Sequence, residues 1–433
     1  MVTSVRAGDG TQGPRVDRRD RPRPCLWLYA QVTPPVLPDG DPAPADGSLP
    51  TQVVDGAGDR DLGFYLHVPF CTVRCGYCDF NTYTLTEMSG QASPESFTGA
   101  AHLEIDLAAR VLGVAGLPSR PISTVFVGGG TPTVLAGSEL VGLLGHLRET
   151  FGLAPDVEVT TEANPDSVSA ESLRTLADGG FTRVSFGMQS AVPHVLATLD
   201  RTHDPRRLPE VVGWAAASGL HSSVDLIYGT PGESLADWRT SVETAIALGP
   251  EHISAYALTV EPGTRMHRLG TSRQLPDIDP DDQADKYELA DELLGAAGYQ
   301  WYEISNFARE PAARSRHNIA YWRAQDWWGI GPGAHSHVGG VRWWNVRHPR
   351  AYADRLSTGE SPAAAREILD ADARRTEQVM LAVRLADGFD GAGLAGVPGL
   401  IGDGLVEPAG TMLRLTRPGR LLADQVVRTL LGW

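Results

Sequence analysis

Lysine is almost missing from this chain: Lys286 is the sole lysine among 37 basic residues in a sequence of 433. Codon usage in a GC-rich genome accounts for that bias without giving guanidinium a function. Positive charge as a whole is short, since 37 Lys+Arg against 53 Asp+Glu leave a net charge of −16. A protein whose main task is to neutralise a phosphate backbone is therefore not expected, and nucleic acid is not an expected partner. No apolar run approaches the roughly 20 residues needed to cross a bilayer. Cysteine is sparse too, with four in the chain. A secreted disulfide scaffold is small and spaces many cysteines along its length. What is there is ordinary globular composition, 42% hydrophobic and 21% charged, and enough chain for a large core plus a smaller domain.

Residues 1–60 are rich in Pro, Gly, Asp and Arg, and 15–23 are nearly all charged or Pro. Such a segment buries too little apolar surface to offset its ordering entropy, so it is expected to be disordered. The run at 25–32, CLWLYAQV, is too short and too aromatic for a signal peptide. A translation start near Val36 is the alternative reading of this segment.

From residue 61 the texture changes. Short apolar runs at 64–68, 124–127, 157–161, 182–186, 223–228 and 252–257 read as strands. Helical patterns at 94–112, 138–150, 170–178, 205–217, 235–248 and 284–296 alternate with them. Continuous rather than alternating apolar strands suit a parallel sheet covered by helices. The fold class expected is α/β, a partial (β/α)6 barrel spanning 61–300, with chemistry at the carboxyl ends of the strands. Those ends carry Gly128-Gly129-Gly130-Thr131-Pro132, Glu162-Ala163-Asn164-Pro165, Gly187-Met188-Gln189-Ser190 and Tyr228-Gly229-Thr230-Pro231-Gly232. Residues 301–360 hold six of the ten tryptophans and are expected to close the barrel. Residues 361–433 read as a helix at 367–385, a hairpin around Pro408-Ala409-Gly410 and a helix at 418–431, an α+β winged-helix-like domain. Arg414, Arg417, Arg420 and Arg428 lend it too little positive charge for a DNA reader, so a packing appendage is expected.

Three of the four cysteines, Cys71, Cys75 and Cys78, stand as C-x3-C-x2-C, while Cys25 lies far upstream. A tight cluster in a large chain points to metal or redox chemistry in a reducing compartment, and a cytoplasmic location is expected. Three thiolates can each bind one iron of a cubane cluster and leave the fourth iron open to a ligand. Zinc, with His67 as a fourth ligand, is the rival at this point, though no second cysteine knuckle is present.

The spacing, with the aromatic Tyr77 before the last cysteine, resembles the radical S-adenosylmethionine (SAM) superfamily. Tyr65 to Phe70 (YLHVPF), Gly128 to Thr133 (GGGTPT), Asn164-Pro165 after Glu162, and Asp225 to Gly229 (DLIYG) resemble its oxygen-independent coproporphyrinogen III oxidase branch. The resemblance implies a [4Fe-4S] cluster on Cys71, Cys75 and Cys78, with SAM chelating the open iron. In the superfamily, one-electron reduction then cleaves SAM to methionine and a deoxyadenosyl radical. Tyr65 would place SAM beside the cluster; Gly129, Gly130 and Thr131 would bring backbone to its amino group; Glu162, Gln189, Arg201 and Asp225 would hold the remaining polar parts of one or two SAM molecules.

Within that branch, the oxidases carry a further cysteine two residues after the third, where this chain has Phe80. The heme chaperones resemble Cys78-Asp79-Phe80-Asn81 here and carry H-N-x-x-Y-W, present as His317-Asn318-Ile319-Ala320-Tyr321-Trp322. The resemblance is therefore nearest to the heme chaperone family, HemW. It implies heme bound through His317, with His335 and His337 as alternatives, and transfer to acceptor hemoproteins. No coproporphyrinogen oxidase activity is expected. A reductant of the cluster, acceptors that include membrane-associated ones, and a homodimer complete the expected partners. N-terminal sequencing of the native protein checks the start near Val36; a mature terminus at Met1 or Val2 excludes it.

Overall fold

The computed structural model describes residues 40–90 and 92–433. The expectations placed on residues 1–39, Cys25 and Val36 among them, lie outside the described residues. Residues 41–60 correct the expectation of disorder over 1–60. Asp41–Pro42 pairs with Ala365–Arg366 at a sheet edge, and Arg60 reaches the buried Asp326 at 2.9 Å. The charged composition there conceals long-range partners that no local reading supplies.

Six strands run in parallel and in chain order: β1 (Leu62–Val68), β2 (Ile122–Gly129), β3 (Leu153–Ala163), β4 (Arg183–Gln189), β5 (His221–Tyr228) and β6 (His252–Ala257). Helices α1 (Pro94–Val114), α2 (Gly137–Phe151), α3 (Ala170–Asp178), α4 (Leu208–Ala217), α5 (Leu235–Leu248) and α6 (Pro280–Ala296) follow in alternation. Ser93, Ser169 and Ser234 cap the amino ends of α1, α3 and α5 with side-chain oxygens, satisfying first-turn N–H groups. Expected and observed bounds agree within a few residues for most elements, as periodicity alone permits.

The sheet does not stop at six strands. Short strands β7 (Gln300–Glu303) and β8 (Asn306–Ala308) pair antiparallel beyond β6. On the other flank β9 (Asp326–Ile330) runs parallel to β1, followed antiparallel by β10 (His335–Val338), β11 (Val341–Asn345) and β12 (Ala363–Ile368). The barrel is thus open, with its wall continued at both edges. Helix α7 (Arg316–Trp322), which lies before β9, sits against the inner face of β2 at the barrel base. Asp326, at the start of β9, accepts from Arg60 at 2.9 Å, Arg120 at 2.8 Å and the Gly339 amide at 2.9 Å. That buried carboxylate pins the extension to β1 and β2.

In the last quarter, the helix expected over 367–385 is α8 (Ala371–Ala382), and residues 367 and 368 belong to β12. Edge pairing with β11 overrides the helical propensity of Ala363-Ala364-Ala365-Arg366-Glu367. The hairpin strands are β13 (Val406–Ala409) and β14 (Met412–Leu415), and the helix expected over 418–431 is broken at Leu422 into Arg417–Leu421 and α9 (Ala423–Leu431). These elements close on a core of their own around Val383, Phe389, Leu415 and Val426. The domain docks on the barrel largely through charge: Arg420 lies 2.8 Å from Asp291 and 4.5 Å over the Trp301 ring.

The sole lysine is fully buried on α6. Lys286 Nζ donates to the Glu233 carbonyl at 2.9 Å, pairs with the Asp282 carboxylate, and lies 3.5 Å from the buried Glu233 carboxylate. Glu233 in turn accepts from the Gly229 amide at 2.8 Å, so the lysine fixes the loop after β5. Lys286→Ala strands a carboxylate in the interior, and a loss of about 3 kcal/mol or more is expected in urea unfolding; a midpoint equal to wild type would contradict this.

Candidate functional site

The cysteine loop begins as β1 ends. Cys71 closes a two-residue strand paired parallel with Tyr83–Thr84, and Cys75 and Cys78 follow in a turn closed by Cys78 N to Cys75 O at 3.2 Å. All three thiols are free. Arg201 donates to Cys75 Sγ at 3.5 Å and to the Gly187 carbonyl at 2.8 Å, tying the loop to the end of β4. Burial raises the Cys71 thiol and pushes Cys78 up to about 11, so a positive centre is needed to hold these sulfurs as thiolates.

Among the described residues no group of three His, Cys, Asp or Glu converges on one metal ion. Cubane ligands bind separate irons, so their sulfurs have no reason to meet at a point. Zinc fits worse: it needs a convergent set, and His67 has both ring nitrogens engaged, Nδ1 with Tyr65 OH at 3.0 Å and Nε2 with the Asn81 carbonyl at 2.9 Å.

Beneath the loop lies a cavity of about 590 Å³. The three cysteines line it, together with Tyr77, Gly129, Gly130, Thr131, Glu162, Gln189, Arg201 and Asp225. The ends of β2, β3, β4 and β5 deliver these side chains to one place. Gly130 N donates to Val68 O and Thr131 N to Phe70 O, both at 2.8 Å, which stitches the glycine turn under the cysteine loop. A Cβ on Gly130 would stand 2.9 Å from Cys71 Sγ and closer still to the Phe70 carbonyl, and one on Gly129 would stand 2.7 Å from His67 Nδ1. Gln189 holds φ 62°, a left-handed value that a non-glycine residue adopts at a cost, and its side chain reaches the cavity. Glu162 accepts from the Gly129 amide at 3.1 Å; burial, then the nearby Asp225, raise its pKa to about 8. Asp225 accepts from Ser185 Oγ at 2.8 Å, and burial raises its pKa as well. Arg201 Nε is buried without a partner. A glycine cradle, an unpaired guanidinium nitrogen, acidic groups and open thiols fit a zwitterionic ligand beside a thiolate-held cluster.

Tyr65 and His317 stand apart from that set. They line a second cavity of about 220 Å³ that lies inside the barrel and shares Phe80, Glu162, Ser185, Asp225 and Tyr256 with the first. His317 is 2% exposed, with Nδ1 2.9 Å from Thr124 Oγ1 and Nε2 2.9 Å from Tyr321 OH. Burial lowers its pKa to about 3, so the ring is neutral. Both ring nitrogens are therefore occupied, and an iron can be met only after one contact is released. Of the alternatives, His337 Nδ1 contacts the Gln325 carbonyl at 2.9 Å, whereas His335 is exposed beside Trp344. The tryptophans of this region mostly pack: Trp328, Trp343 and Trp344 are buried, with Trp328 and Trp343 edge to face at 4.8 Å. The glycine-rich stretch before His335 cups Asn81, whose Nδ2 donates to Pro332 O at 2.9 Å.

Reading the strands as uniformly apolar missed the polar residues on their inner face. Thr160, Arg183, Ser185, Ser223, Ser254 and Tyr256 all line the inner cavity. A period of two within β4, Arg183-Val184-Ser185-Phe186-Gly187, was the available signal.

Residues 65–245 match the family model described as the radical SAM superfamily. A protein named heme chaperone HemW from Mycobacterium tuberculosis (strain ATCC 25618 / H37Rv) is 50% identical over 379 residues, covering 86% of this chain and 95% of the relative. One of the same name from Bacillus subtilis (strain 168) is 32% identical over 384 residues, covering 85% and 98%. A solved structure of coproporphyrinogen III oxidase (HemN) from Escherichia coli superposes with a TM-score of 0.75 at 23% identity, covering 88% of this chain and 92% of the other, a likeness of fold. Among the described residues no helix is long and apolar enough to cross a membrane.

A raised carboxyl contributes stability that is complete below its unfolded pKa and lost as pH rises through the folded one, here from 4.5 to about 8 for Glu162. In ligand-free protein, Glu162→Gln should match wild type in urea midpoint near the low end of that window and exceed it above the high end. A difference that stays constant across the window would contradict the assignment.

Proposed function

Because the chain belongs to the HemW heme chaperone family within the radical SAM superfamily, we propose that it binds heme and passes it to acceptor hemoproteins. The observation that carries this reading, beside the family, is the loop Cys71-Thr72-Val73-Arg74-Cys75-Gly76-Tyr77-Cys78-Asp79-Phe80. It offers three thiols to a cavity and places an exposed phenyl ring where the oxidase branch carries a further thiol.

In this reading Cys71, Cys75 and Cys78 hold a [4Fe-4S] cluster and leave one iron to SAM. Gly129, Gly130 and Thr131 present backbone to the SAM amino group, while Glu162, Gln189, Arg201 and Asp225 take its other polar atoms. Tyr77 walls the cavity beside the loop. Tyr65, hydrogen-bonded to His67, acts from the inner cavity by steadying the end of β1. When bound, the cluster and SAM supply one-electron chemistry. The chain's own share is to hold them out of bulk water and to keep Glu162 protonated at neutral pH.

Heme is cargo. Its iron is taken by His317 once the ring has released Tyr321, and a neutral imidazole is the form that coordinates. The same reading carries a reductant for the cluster, hemoprotein acceptors that include membrane-associated ones, a cytoplasmic setting and a homodimer.

Anaerobic reconstitution with iron and sulfide should give a cluster chromophore in wild type and none in Cys71→Ala; an intact cluster in that variant overturns the ligand assignment. Heme should produce a Soret shift that His317→Ala weakens about tenfold or more in affinity. Turnover of coproporphyrinogen to protoporphyrinogen by reduced, SAM-loaded protein would instead establish the oxidase reading.

A further inference from the structure

Glu104 lies fully buried on α1, and no cation pairs with it among the described residues. A buried carboxyl without a counter-charge is costly unless hydrogen bonds replace its water. Three donors from three separate elements do so. The Gly331 amide donates to Oε2 at 2.8 Å, the Tyr352 hydroxyl to the same oxygen at 2.5 Å, and Asn345 Nδ2 to Oε1 at 2.8 Å. Tyr352 belongs to the helix Pro349–Ser357, Asn345 ends β11, and Gly331 opens the turn between β9 and β10.

That turn is held by both polar atoms of its first residue. Asn345 Nδ2 also donates to the Gly331 carbonyl at 2.9 Å, so Glu104 and Asn345 together fix Gly331. Gly331 has φ 112°, and a Cβ there would collide with the His67 carbonyl at the end of β1. The next residue, Pro332, accepts from Asn81 Nδ2 at 2.9 Å, and the same nitrogen donates to the Arg347 carbonyl at 2.8 Å. Asn81 Oδ1 accepts from Tyr83 OH at 3.2 Å, and the Asn81 carbonyl meets His67 Nε2 at 2.9 Å. Asn81 stands three residues beyond Cys78, whose sulfur lies 3.9 Å from Thr82 Oγ1. Each cysteine therefore has a tie to the barrel. Gly130 and Thr131 hold the Cys71 end of the loop, Arg201 holds Cys75, and the Cys78 end leads through Asn81 and Pro332 to Glu104.

We propose that Glu104 is a positioning residue for the cluster: through the Gly331–Pro332 turn and Asn81 it fixes the carboxyl end of the cysteine loop and so the place of Cys78. The assignment rests on the reading that Cys71, Cys75 and Cys78 hold a cluster. Glu104 does not line the cavity beneath the loop and acts only through the turn. An apolar residue at 104 would leave the Gly331 amide buried without an acceptor. The turn would shift to find one, and Asn81 would lose its seat.

The test uses the full chain, reconstituted anaerobically with iron and sulfide. It reads the rate at which the cluster chromophore bleaches in air and the electron paramagnetic resonance of the reduced cluster. Glu104→Gln keeps the side chain's size but sets an amide against the Asn345 amide. It and Asn81→Ala should each speed bleaching about tenfold, the size of one buried hydrogen bond. The double variant should bleach no faster than the faster single one, because both cut the same tie. Tyr352→Phe removes one of the three donors and should move bleaching the same way, by less; it carries the test should Glu104→Gln fail to fold. Tyr299→Phe removes a buried bond of 2.6 Å to the Pro250 carbonyl beyond β6 and serves as the control. It should lower the urea midpoint yet leave the bleaching rate and the resonance unchanged, whereas Glu104→Gln should shift the resonance. Bleaching at the wild-type rate in Glu104→Gln, single effects that multiply in the double variant, or equally fast bleaching in Tyr299→Phe overturns the positioning role and leaves the cluster reading standing. A wild type that forms no chromophore overturns the cluster reading and the role with it.

Discussion

The backbone of Gly130 passes so close beneath Phe70 and Cys71 that any side chain there would collide with the Phe70 carbonyl and the Cys71 sulfur. That approach allows Gly130 N and Thr131 N to bond Val68 O and Phe70 O, and so seats the cysteine loop directly over the ends of β2 and β3. Everything the cavity offers follows from this seating. The thiols face Glu162 and Asp225 because the loop is drawn down, and Arg201 can bridge Cys75 to Gly187 because β4 ends at the same height. A bulkier residue at 130 would lift the loop and open the cavity to water.

The barrel's two ends have different chemistry. The upper rim is glycine, thiol and acid; the interior below is a polar lattice in which strand neighbours such as Glu162 and Ser185, or Asp225 and Ser254, stand in register. The base is closed by α7, whose His317 amide donates to the buried Glu158 at 3.0 Å while its ring stacks on Phe126 at 5.1 Å. The C-terminal domain reaches this base through Asp387, which meets Arg314 before α7 at 3.1 Å and Arg323 after it at 2.7 Å. One carboxylate thus grips both ends of the helix that carries the H-N-x-x-Y-W motif.

Much of this was legible in the sequence. The six parallel strands announced themselves by short apolar runs between helical periods, and the cavity residues by their place at strand ends. The three strands of 326–345 did not, because Trp327, Trp328, Trp343 and Trp344 interleave with glycine and histidine and imitate a binding cluster as readily as a packed sheet edge. The order of residues 41–60 was equally hidden, since it depends on Asp326, distant in the chain. Arg183 and Thr160 escaped notice for a third reason: treating the strands as uniformly apolar hides the alternation that carries Arg183 and Ser185 onto the inner face.

Lys286 has a practical corollary. With its amine sealed between α6 and the loop after β5, Lys286 is closed to acylating reagents and isopeptide-forming ligases while the molecule is folded. The appearance of an adduct on Lys286 would therefore time the moment at which that loop comes away from the barrel.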